Sequence, residues 1–67
     1  MMQLQIEKDW SGQNYSFVVS DGFNKASFTC EAWRISDYQL QEARRVVQNG
    51  YDVNSSLTAV KQALGFW

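Results

Sequence analysis

No histidine and no proline occur in this 67-residue chain, and Cys30 is its one cysteine. Without histidine, the Ser-His-Asp and Cys-His pairs are missing in their usual form, as is the commonest general base. The expectation is a non-enzymatic protein with no catalytic residues. One thiol forms no intramolecular disulfide and supplies no zinc ligand set, and no acidic loop resembles a calcium site. No metal and no cofactor are expected. Charge is scarce as well: six Lys plus Arg against seven Asp plus Glu leave a net charge of −1, so the basic footprint of a nucleic-acid-binding domain is absent. Direct nucleic-acid binding is therefore disfavoured.

No apolar run approaches the ~18 residues a bilayer span needs, so no membrane partner is expected. The opening Met1–Glu7 alternates in polarity and lacks the basic and apolar regions of a secretory signal. A complete, cytoplasmic chain folding as one domain over residues 1–67 is the expectation. Stability must then come from apolar packing, for which ten aromatics are available.

The first half alternates with the period of half-buried strands. Met2, Leu4 and Ile6 share one face, with Trp10 on the same parity beyond a break at Lys8. A turn over Ser11–Asn14 follows; Tyr15, Phe17 and Val19 then face inward, and Asp21-Gly22 signals a second turn. In the third strand Ala26, Phe28, Cys30 and Ala32 share the inner face, while Ser27, Thr29, Glu31 and Trp33 share the outer. Trp33 either stays outside or folds over the core. Cys30 reads as a buried packing thiol.

The second half changes period. Ser36 and Gln39 have capping-box spacing, and Ile35 and Leu40 have the spacing of a hydrophobic staple. Leu40, Ala43 and Val47 form a helical stripe that Asn49-Gly50 stops in a left-handed cap, with Tyr51 packing back on Val46. A second helix follows the polar Asp52–Ser55 stretch, with Leu57, Val60 and Leu64 as its stripe and Gly65 as its stop. The fold class expected is α+β: a three-stranded antiparallel meander followed by two short helices on one sheet face, βββαα. Phe66 and Trp67 close the core.

The run Ala43-Arg44-Arg45-Val46-Val47-Gln48-Asn49-Gly50-Tyr51-Asp52-Val53, with Ala63-Leu64-Gly65, resembles the first helices of transposase-type helix-turn-helix domains. That resemblance covers about a third of the chain and implies a DNA-associated role. In size, near-neutral charge and lack of a catalytic set, the chain is also similar in kind to small proteins that bacteriophages and mobile elements use against host machinery, including inhibitors of CRISPR complexes. This likeness implies binding to a larger protein complex and steric occlusion of it.

Opposite the Leu40 stripe, Tyr38, Gln41, Glu42 and Arg45 stand where solvent is expected, and Tyr and Arg are interface-anchoring types. Together with Trp33 they are the candidate protein-binding residues. If the partner is itself a nucleic-acid-binding complex, Glu7, Asp37 and Glu42 are expected to mimic phosphate. The alternative is a small DNA-associated accessory protein using Lys25, Arg34, Arg44 and Arg45 on one side, with salt-sensitive binding. A homodimer, through an edge strand or the terminal aromatics, is a third reading.

Overall fold

The computed structural model describes residues 2–66. Three strands, β1 (Gln3–Lys8), β2 (Asn14–Ser20) and β3 (Lys25–Glu31), precede helices α1 (Asp37–Val46) and α2 (Val53–Ala63). The strands pair antiparallel in the order β1-β2-β3, so the α+β meander with two helices is the observed architecture.

Register follows from the alternation. Ile6 opposes Phe17, which opposes Phe28; Leu4 opposes Val19, which opposes Ala26. These side chains all point to one face because the strand period is two. Phe17 and Val19, on the central strand, are fully buried. The Phe17 and Phe28 rings stack at 4.8 Å with 9° between their planes. On the other face Gln5, Val18 and Ser27 form one cross-strand row, and Glu7, Ser16 and Thr29 the next. That face carries none of the helices, and its polar residues need no partner.

Each helix start has a polar reason. The Ser36 hydroxyl accepts from Gln39 N at 3.2 Å while Gln39 Oε1 accepts from Ser36 N at 2.8 Å, completing the capping box. Asp52 caps α2 by accepting from Ser55 N at 2.7 Å. At the far end of α2, Gly65 has a φ of +87°; Gly65 N donates to Gln62 O and Phe66 N to Lys61 O, the two bonds of a Schellman cap.

The helices lie antiparallel. Gln39 Nε2 donates to Leu64 O at 3.2 Å, tying the start of α1 to the end of α2. Ala43, Val47, Val53, Val60 and Leu64 join Met2, Phe17, Val19 and Cys30 in one buried cluster. Phe66 packs against it from the side, 6.3 Å from the Phe28 ring. Trp67, expected to close the core with Phe66, lies outside the described residues.

Several local expectations are corrected. Lys8 is no break, for it opposes Tyr15 within the ladder. Trp10 does not continue the inner face: the strand ends at Lys8, and the indole stands on the following turn, 98% exposed. β3 ends at Glu31, short of Ala32 and Trp33, which wind with Arg34 into a 3-10 turn; of the two positions open to Trp33 the ring takes the outer one, 81% exposed. α1 tightens into a 3-10 turn at Val47–Asn49, and Gly50 is extended (φ −86°, ψ 148°), not left-handed. Tyr51 therefore points into solvent, 90% exposed, and does not pack back on Val46.

Candidate functional site: the cleft between the helices

The two antiparallel helices leave a furrow between them on the side away from the buried cluster. Here it has a volume of about 420 Å³ and is lined by Tyr38, Glu42, Arg45, Val46 and Asn49 from α1 and the turn after it, and by Ala59, Gln62 and Ala63 from α2. Ala59 and Ala63 are one helical turn apart and carry only methyl groups, so they leave the furrow open between longer neighbours.

Residues 38, 42 and 45 sit at helical spacings of four and three, which puts their side chains in one row. Arg45 Nε donates to Glu42 Oε2 at 2.7 Å and Arg45 Nη2 to Glu42 Oε1 at 3.3 Å, a two-point contact that fixes the guanidinium plane. Tyr38 Oη is 3.5 Å from the same carboxylate. The hydrogen bonds from Arg45, more than any other cause, hold the Glu42 carboxyl below its usual range, and the same contact raises the Arg45 guanidinium. The Tyr38 ring is 70% exposed. Chemically the cleft offers an aromatic face, an oriented ion pair and an apolar floor.

The expected binding residues divide. Tyr38, Glu42 and Arg45 converge on the cleft, while Gln41 is exposed on α1 outside it. Trp33 lies elsewhere, beside a second cleft of about 360 Å³ that it forms with Gly12, Gln13, Asn14, Glu31 and Ala32. Sequence reading missed Ala59, Gln62 and Ala63, because a cleft between two helices depends on how they dock. The signal present was the Ala59/Ala63 pair, two small residues at i and i+4 beside the Leu57, Val60 and Leu64 stripe.

The four cations of the DNA reading do not gather. Lys25 begins β3, and Arg34 follows the far end of that strand. Arg34 stacks over the Phe66 ring at 4.6 Å and lies 3.8 Å from Glu31, while Arg45 is held by Glu42. Arg44 is exposed on α1. The three acids expected to mimic phosphate are also separated: Glu7 faces the uncovered side of the sheet, Asp37 opens α1 among the helices, and Glu42 is paired. Among the described residues no group of three or more His, Cys, Asp or Glu is placed to hold a metal ion. None of the described helices is long and apolar enough to cross a membrane.

Comparison with protein-family models, with curated proteins and with solved structures finds no match.

Proposed function

We propose that this chain is a small non-enzymatic protein-binding module that modulates or inhibits a larger protein complex by occluding part of its surface. The observation that carries the reading is the convergence of the exposed Tyr38 ring and the Glu42-Arg45 pair on a cleft floored by Val46, Ala59 and Ala63. Interface energy concentrates in aromatic and arginine side chains beside a desolvated pocket, and an arginine already held in place loses less freedom on binding. The absence of histidine supports a non-catalytic role.

The test begins with capture of partners on tagged protein from a bacterial lysate, with nuclease treatment and a salt series. A protein partner retained through both is expected, and its affinity should fall by about tenfold or more for Tyr38→Ala and for Arg45→Ala. An affinity unchanged by both substitutions would sink the choice of this cleft. Enrichment of nucleic acid alone, lost on digestion or at modest salt, would replace the reading with the DNA-accessory one.

A further inference from the structure

β1 and β3 are the two edges of the sheet, and they present different main-chain groups to a neighbour. Just beyond the two ends of the β2–β3 ladder, Ala32 N donates to Gln13 O at 2.7 Å and Asp21 N to Asn24 O at 3.2 Å. Bonded and non-bonded pairs alternate in an antiparallel ladder, so the even-numbered residues of β3 turn their N–H and C=O groups to β2. Lys25, Ser27, Thr29 and Glu31 turn theirs outward. Among the described residues those outward groups have no hydrogen-bond partner. By the same alternation β1 turns Leu4, Ile6 and Lys8 outward, and Gln48 Nε2 already donates to Met2 O at 2.7 Å at its start.

The side chains of β3 complement their own reverse. Turned end for end about Phe28, the strand sets Lys25 against Glu31, Ala26 against Cys30 and Ser27 against Thr29. Opposite charges and hydroxyl pairs stabilise antiparallel neighbours, whereas like charges directly opposite destabilise them. This register also brings the outward-facing residues 25, 27, 29 and 31 opposite one another, so the main-chain bonds and the side-chain pairs coincide. Sliding by two residues either way leaves Glu31 against Phe23 or Lys25 against Trp33, so the charges select one register. β1 has no such symmetry: Glu7 and Lys8 lie on opposite faces, and no pairing of the strand with itself sets them together. The Glu31 carboxylate is 3.8 Å from Arg34 within its own chain, a long and half-exposed contact that holds it weakly.

Pairing β3 with β3 also keeps the two apolar faces on one side. Pairing it antiparallel with β1 of another copy would set the outer side chains of one against the inner side chains of the other, since the outward-facing residues are odd in β3 and even in β1. The self-paired contact therefore closes at two copies. Phe28, half-buried at the centre of the edge, then lies beside its counterpart. We propose that β3 is an isologous homodimer interface, two copies joining antiparallel about Phe28 with a Lys25–Glu31 ion pair at each end.

Sedimentation of the full chain over a concentration series, from about micromolar to about millimolar, tests this. The weight-average mass should rise from the 7.7 kDa of the monomer toward twice that value. Lys25→Glu and Glu31→Lys should each weaken self-association by about tenfold, because the two-fold axis makes every change twice. The double reversal Lys25→Glu/Glu31→Lys should restore it to within about threefold of the parent. Thr29→Pro, which removes an outward N–H and no bond to β2, should abolish the dimer. Far-UV circular dichroism shows which variants keep the fold, and the charge reversals decide the matter if the proline variant does not. A monomer at every concentration overturns the proposal, as does a dimer that survives both single reversals or a double reversal as weak as the singles. Neither result bears on Tyr38 and Arg45, which lie on α1.

Discussion

Gly50 passes so close to Ser56 that a methyl group added to its Cα would lie 2.7 Å from the Ser56 Cα and closer still to its amide nitrogen and hydroxyl. The glycine is needed for this approach and not for its dihedral angles, which any residue adopts. The contact docks the start of α2 on the turn that ends α1, where the buried Ser56 hydroxyl donates to Val47 O at 2.8 Å. Gly50→Ala should therefore destabilise by about 1–3 kcal/mol through overpacking. Ser56→Ala should cost about 1–3 kcal/mol by leaving a buried carbonyl without that donor. Urea denaturation measures both, and a Gly50→Ala midpoint equal to the parent's would contradict the close approach.

Phe17 is the side chain on which both layers meet. It is fully buried, stacked on Phe28 and 5.9 Å from the Tyr15 ring. Phe17→Ala should cost about 3–5 kcal/mol, against a total stability on the order of 3–10 kcal/mol for a domain this size. Loss of most near-UV circular dichroism at 25 °C without denaturant is the expected outcome. Retention of a sharp two-state transition near the parent's midpoint would place the core elsewhere.

Asp9 is held down to about 2 from an ordinary 3.8, first by the Asn14 side chain and next by the Ser11 hydroxyl. A carboxyl whose folded value is depressed favours its charged form, so the turn is fully braced above about pH 4 and loosens as pH falls through about 2. Following the Asp9 carboxyl carbon by NMR should give a midpoint near 2. A midpoint near the ordinary value would mean that the cage is open in solution.

Cys30 is buried on the inner face of β3, and burial pushes its thiol above the ordinary value. The reactive thiolate is thus disfavoured, and its approach is blocked. Reaction with a disulfide reagent at pH 8 should be slower than for a free thiol and should accelerate when denaturant unfolds the chain. A rate equal to that of the unfolded chain would show that β3 exposes this face.

Local pattern carried most of the fold. Alternation placed Leu4, Ile6, Phe17, Val19, Phe28 and Cys30 on one face, and Ser36 caps the first helix where its start was expected, while the second begins at Val53, inside the polar stretch expected to precede it, with Asp52 as its cap. These signals are legible because backbone geometry along the chain sets the period, and a hydrogen bond between near neighbours makes the cap. Arg45 and Glu42 were legible as helical neighbours for the same reason.

What lay beyond the sequence was the fate of side chains at the ends of elements. Trp10 shares the parity of Ile6, yet its strand stops two residues earlier and nothing stands above it. Gly50 looked like a helix stop, and the approach of Ser56 from the next helix explains it instead. The cleft beneath Tyr38 required Ala59 and Ala63 from a different helix. Sequence determined which residues repeat with which period, because that depends on neighbours along the chain. Only the tertiary structure decided which aromatics stay in water and which residues share a cleft, because both depend on what another segment brings across the gap.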